Sequence, residues 1–151
     1  MFYEAMLDKV AATIDGPLNR DEKLAQVARL LREAVPYYNW VGFYLVDAGR
    51  PGELLLGPFV GRATEHVSIP FGRGVCGRVA DTEQTMVVQN VSELDNYLSC
   101  DARVRSEIVV PILKDGVFVG ELDIDSHALA PFAEGDTALL ERVAAMVSAV
   151  L

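Results

Sequence analysis

The chain has 151 residues, 51% hydrophobic and 23% charged, a globular balance with enough length to bury one full core. Its net charge of −9 argues against nucleic acid and anionic membrane surfaces as partners, since both need a basic face. No stretch approaches the ~20 apolar residues of a membrane span, and the first residues lack the basic start and apolar run of a signal peptide. Two cysteines, Cys76 and Cys100, are too few for a secreted disulfide framework. A single cytoplasmic domain over residues 1–151 is expected, with no membrane or nucleic-acid partner.

In residues 2–15, Phe2, Met6, Val10 and Ile14 recur at the four-residue spacing of an amphipathic helix, which Gly16-Pro17 ends. A second helix is predicted from Asp21 to Val35, with Leu24, Val27, Leu30 and Leu31 as its apolar stripe and Pro36 as its stop. Tyr38 to Val46 is aromatic and β-branched, and Leu54 to Val60 returns after a Gly49-Arg50-Pro51-Gly52 turn, so the two read as a hairpin. A short strand follows at His66 to Phe71, then a glycine-rich turn, a short helix from Gly74 to Ala80 and an extended run at Thr85 to Gln89. Residues 90–105 are polar and irregular, a length of loop that usually serves as a lid or binding segment. Glu107 to Leu113 and Val117 to Asp125 form a second hairpin around Lys114-Asp115-Gly116. A last helix runs from about Gly135 to the end. Strands grouped between terminal helices indicate an α+β fold with an antiparallel sheet, the terminal helices on one face and a pocket on the other.

Gly72-Arg73-Gly74-Val75-Cys76-Gly77 matches G-x-G-x-x-G. A dinucleotide site needs a βαβ unit of ~30 residues, whereas the next extended run here begins at Thr85, so the glycines are read as a tight turn. That turn puts Cys76 at a helix N-terminus, where the dipole favours thiolate. Cys100 lies in the irregular segment, and the residues alone leave it open between a small buried hydrophobe and a reactive thiol. In Val117 to Asp125, alternation puts Glu121, Asp123 and Asp125 on one face with Val117 and Val119, and Phe118, Leu122 and Ile124 on the other. A two-residue Asp115-Gly116 turn would set Glu107 opposite Ile124. A three-residue turn with Gly116 left-handed would set Glu107 opposite Asp123 and Arg105 opposite Asp125. Such a cluster suits an ammonium group, or a proton held on one carboxylic acid at neutral pH, and the three-residue turn is taken as the expectation. With only His66 and His127 as histidines, no metal is expected. Trp40 and Tyr44 share a face of the first strand, as core packing or as the lining of a site.

Six segments together carry a resemblance: Asn39-Trp40-Val41-Gly42-Phe43-Tyr44, Leu56-Gly57-Pro58-Phe59, Gly72 to Gly77, Cys100-Asp101, Ser106-Glu107-Ile108-Val109-Val110-Pro111 and Leu122-Asp123-Ile124-Asp125-Ser126. In this order, from Asn39 to the C-terminal helix, the chain closely resembles the free methionine-R-sulfoxide reductases, which are stand-alone GAF domains. The resemblance implies a six-stranded antiparallel sheet with helices on one face, and commonly a dimer. It implies Cys100 as nucleophile, with Glu107, Asp123 and Asp125 binding the substrate's polar groups and protonating its oxygen. Trp40 would line the methyl-sulfoxide end, joined by Tyr44, and Cys76 matches a further redox cysteine. Two departures stand out. The family usually has a cysteine where this chain has His66, and a Gly-His-Ile-Ala stretch where it has Asn96-Tyr97-Leu98-Ser99.

The implied chemistry is attack of the Cys100 thiolate on the sulfoxide sulfur, giving a sulfenic acid, then a disulfide with Cys76 that a thioredoxin-type dithiol reduces, with no bound cofactor. The competing expectation is a non-catalytic GAF sensor that binds a small molecule such as an amino acid.

Overall fold

A computed structural model describes residues 2–95, 97 and 102–151. Helices α1 (Phe2–Asp15) and α2 (Arg20–Ala34) come first, then strands β1 (Trp40–Val46), β2 (Glu53–Val60) and β3 (Ser68–Pro70). Helix α3 (Gly74–Thr82), β4 (Met86–Val88) and one 3-10 turn at Val91–Glu93 lead to β5 (Ser106–Lys114), β6 (Val117–Ser126) and α4 (Glu134–Val147). The six strands form one sheet in the order β3-β2-β1-β6-β5-β4, with every neighbouring pair antiparallel. The expected α+β architecture, GAF-like in its six-stranded sheet, is the one observed.

The two faces of the sheet carry different cores. On one, α1, α2 and α4 pack together through Met6, Val10, Leu24, Leu31, Leu140 and Val143 against Val41, Phe43, Ile108, Val110, Leu122 and Ile124. The stripe of α2 is set by a capping box: Asn19 accepts from the Glu22 amide at 2.9 Å while Glu22 accepts from the Asn19 amide. On the other face, α3 packs with Trp40, Tyr44, Leu54, Ile69 and Val109, and Val91, Leu94 and Tyr97 lie against the same cluster. The described part of the irregular segment thus covers the face opposite the terminal helices, as expected.

The hairpin register differs from the expectation. The β5–β6 turn is the two-residue one, with Asp115 and Gly116 both at positive φ, 52° and 79°, the pairing of mirror-image turns that suits strand twist. Lys114 therefore faces Val117 and Leu113 faces Phe118, after which the register slips by one, so that Ile112 faces Gly120. This bulge makes Val119 the extra residue. Beyond it Glu107 lies opposite Asp125 and Val109 opposite Asp123, so neither the Glu107–Asp123 nor the Arg105–Asp125 pairing occurs. The bulge also inverts the expected faces near the turn: Val119 packs with the helix-side core and Phe118 with the α3-side cluster. The parity past the bulge is unaffected, because the slip from the expected register is two residues. Glu107, Asp123 and Asp125 still share one face.

Gly120 sits at the bulge, where an added Cβ would lie 2.7 Å from the Tyr44 carbonyl oxygen of β1. That backbone cannot retreat without parting β1 from β6. Gly120→Ala is expected to destabilise the protein by about 1–3 kcal/mol, read as a lower urea midpoint with an unchanged slope; an unaltered midpoint would mean that the bulge relaxes freely.

Candidate active site

Three adjacent central strands supply the site. Trp40, Gly42 and Tyr44 of β1 face Asp125, Asp123 and Glu121 of β6, and Glu107 and Val109 of β5 face Asp125 and Asp123 from the other side. The period of two thus brings Glu107, Glu121, Asp123 and Asp125 to one face. None is more than 4% exposed. Helix α3 closes this face and brings in the thiol of Cys76, which donates to Asp123 Oδ2 at 3.4 Å and lies 4.0 Å from Glu107 Oε2.

The turn before α3 makes that approach possible. Gly72 and Gly74 hold positive φ values of 89° and 64°. A Cβ on Gly77 would meet the Pro70 carbonyl oxygen at 2.7 Å and the Gly72 backbone at 2.9 Å. The G-x-G-x-x-G pattern is accordingly a tight turn that presses a short helix onto the sheet, as expected, and not a nucleotide loop. The expectation of a favoured thiolate at Cys76 is overturned. Burial pushes this thiol well above its ordinary pKa, and the nearby Asp123, Glu121 and Glu107 charges push it further. A dipole at the first turn of a nine-residue helix does not outweigh full desolvation beside three carboxyl groups.

The same low dielectric acts on the acids. Burial raises Glu121 well above the usual carboxylate range, the Cys76 thiol pulls it back in part, and the Asp123 charge adds to the rise. Asp123 is raised by burial and drawn down by its contacts with Glu107, Cys76 and Asp125. Neither Glu121 oxygen, nor Asp123 Oδ1, has a hydrogen-bond partner among the described residues. Both shifts favour the protonated form of these carboxyl groups.

Aromatic rings wall one end. Trp40 stacks on Phe59 with ring centroids 5.4 Å apart and lies 6.4 Å from Tyr44. Its indole N–H donates to the Arg62 carbonyl oxygen at 2.9 Å, and the Tyr44 hydroxyl donates to the His66 carbonyl oxygen at 2.9 Å. Gly42, between the two aromatics, leaves room for the Trp40 ring: a Cβ there would stand 2.4 Å from Cη2. Two cavities open on this arrangement. One of about 10 Å³ is lined by Tyr44, His66, Ile69, Arg73, Gly74, Val75, Cys76, Glu107 and Asp123. The other, about 130 Å³, is bounded by Trp40, Asp125, Asn39, Arg62, Arg103 and His127 among others.

The structure thus gathers Trp40, Tyr44, Cys76, Glu107, Asp123 and Asp125. Cys100 lies outside the described residues. Sequence reasoning put Glu121 on the correct face but did not count it among the site residues, although the alternation that singled out Asp123 and Asp125 applies to it equally. It also missed Gly42, whose signal is its position two residues from each aromatic.

Comparison with known proteins is consistent across sequence and structure. A family model described as GAF domain matches residues 19–151. Free methionine-R-sulfoxide reductase of Escherichia coli is 35% identical, the match covering 99% of this chain and 88% of that protein. The enzyme of the same name from Saccharomyces cerevisiae is also 35% identical, over 96% of this chain and 83% of that protein. The X-ray structure of free methionine-R-sulfoxide reductase from Neisseria meningitidis in complex with its substrate superposes with a TM-score of 0.91 at 39% identity, covering 98% of this chain and 87% of that one.

The raised carboxyl groups tie stability to pH with a definite sign. Because the native state keeps protons that the unfolded chain releases from about pH 4.3 upward, their contribution is full below that range and lost as pH rises through the raised values. Glu121→Gln removes one such group. Its thermal midpoint should exceed that of the wild type near neutral pH and fall less between acid and neutral pH. Parallel profiles for the two proteins would show Glu121 ionised and well solvated.

Proposed function

Because this chain belongs to the GAF domain family, and within it to the free methionine-R-sulfoxide reductases, we propose that it reduces free L-methionine-(R)-S-oxide to L-methionine. The observation that carries the reading is the buried acid face beside Trp40, Tyr44 and Cys76, on a backbone close to that of an enzyme solved with its substrate. An amino acid brings an ammonium group, which carboxylates attract, and a sulfoxide brings an oxygen that leaves only when protonated. Crowded, desolvated carboxyl groups serve both ends, since not all of them ionise at neutral pH. The stacked aromatic rings suit the apolar methyl end.

In this mechanism Cys100, as thiolate, attacks the sulfoxide sulfur. Oxygen passes to the cysteine sulfur as a carboxylic acid of the Glu107, Asp123 and Asp125 group donates its proton, and methionine leaves. Cys100 is oxidised by two electrons to the sulfenic acid. The Cys76 thiol then attacks that sulfur, releasing water and forming a disulfide, which an external thioredoxin-type dithiol reduces by exchange. Cys76 is held protonated beside Asp123 and Glu107, so its proton has an acceptor one hydrogen bond away when it reacts. No bound cofactor enters the cycle. A homodimer through the helices and a cytoplasmic setting complete the proposal; no helix among the described residues is long and apolar enough to cross a membrane.

Reduced protein is expected to form one methionine per Cys76–Cys100 disulfide when given methionine-R-sulfoxide alone, and to turn over with dithiothreitol. Cys100→Ser should abolish the reaction, whereas Cys76→Ser should complete one turnover and stall as the sulfenic acid. Asp125→Asn and Glu107→Gln should each lower kcat/KM at least about tenfold, roughly 1.4 kcal/mol of transition-state stabilisation. Quenching of the single tryptophan by sulfoxide with both thiols intact would replace the reductase reading with that of an amino-acid sensor.

A further inference from the structure

A small cavity beside α3 lies among donors that a transition metal prefers. Cys76 Sγ, a Glu107 oxygen and an Asp123 oxygen all lie within 4.8 Å of one another. The two sulfur–oxygen separations are 3.4 and 4.0 Å. Zinc–sulfur bonds of about 2.3 Å and zinc–oxygen bonds of about 2.0–2.2 Å give tetrahedral sulfur–oxygen edges of roughly 3.5 Å, so one ion fits between these atoms with small adjustments. The space they enclose, about 10 Å³, is that of a single small guest and not of an amino acid.

Two further observations point to a cation. Asp123, which lines this cavity, is 1% exposed, and its Oδ1 has no hydrogen-bond partner among the described residues. Buried carboxyl groups in this condition are satisfied by protons or by a positive ion. His66 lines the same cavity, adding a histidine to a wall of thiol and carboxylates. A mixed sulfur and oxygen set favours zinc and its soft congener cadmium over magnesium or calcium, which take oxygen alone.

We propose that Cys76, Glu107 and Asp123 bind one thiophilic divalent cation of the zinc type, and that this ion excludes the substrate. The metal takes the place of the thiol proton and occupies the carboxylates that an ammonium or sulfoxide group would otherwise contact. It also removes Cys76 from disulfide formation, so binding holds the protein in an unreactive reduced state. No electron is transferred, and the ion leaves when a chelator competes for it.

The test reads metal binding directly and does not depend on turnover, so its failure and the failure of the reductase reading are distinguishable. Cadmium chloride is titrated into the reduced full chain while the ultraviolet sulfur-to-cadmium charge-transfer band is followed, with zinc chloride as competitor. One equivalent should saturate the band and quench Trp40 fluorescence, and zinc should reverse the absorbance. Cys76→Ser should abolish the band and Asp123→Asn should weaken cadmium binding at least tenfold, both variants retaining the wild-type circular dichroism. Cys100→Ser should keep the band. A band that survives Cys76→Ser and disappears in Cys100→Ser would overturn the assignment, as would the absence of any band in the wild type.

Discussion

Everything at the centre of this protein follows from the decision to desolvate four carboxyl groups and a thiol on one face of a sheet. Glu107, Glu121, Asp123 and Asp125 are at most 4% exposed, and Cys76 is pressed onto two of them. Like charges at this spacing cannot all persist away from water. The face must therefore hold protons, or a positively charged group, in every state the protein adopts. That requirement explains why the raised pKa values fall on Glu121, Asp123 and Cys76 together. It also explains why the opposite face is so conventional. There α1, α2 and α4 bury an aliphatic core that anchors the same strands, offsetting the desolvation cost of the polar side.

The burial of Asp136 shows how differently a carboxylate behaves when the fold satisfies it. At 1% exposure it accepts from the Tyr37 hydroxyl at 2.8 and 2.9 Å, from the Tyr38 hydroxyl at 2.5 Å and from the Ala133 amide at 2.8 Å. Both tyrosines are raised, by burial first and then by the hydrogen bond to Asp136. This carboxylate is a joint between the start of α4 and the chain entering β1. Glu121 is as deeply buried, yet among the described residues its oxygens have no such set of donors.

Element types and their order could be read from periodicity, because the helix stripes and strand alternations are long enough to be unambiguous. The α3-side face was legible for a subtler reason: parity along a strand survives any even error in register. The register itself was not legible. A preference for setting Glu107 opposite Asp123 outweighed turn chemistry that already favoured Asp115-Gly116, and a bulge at Val119 then carried the ladder one residue further. No local signal announces that bulge except Gly120, whose close approach to Tyr44 is visible only once β1 is in place. The state of Cys76 was missed for a related reason. Helix position can be read locally, whereas desolvation depends on strands more than thirty residues away.

His66 gives the site its particular character. It lines the cavity beside Cys76, and its carbonyl oxygen anchors the Tyr44 hydroxyl. The position that resembling enzymes commonly give to a third cysteine is a histidine here. A thiol in that place would add another weak acid to a crowded pocket. Cys76 is the one described thiol. Any disulfide with Cys100 must form through it, and to react it must first leave the hydrogen bond to Asp123. In the proposed cycle Asp123, which together with burial keeps the thiol protonated, is also the nearest acceptor for its proton.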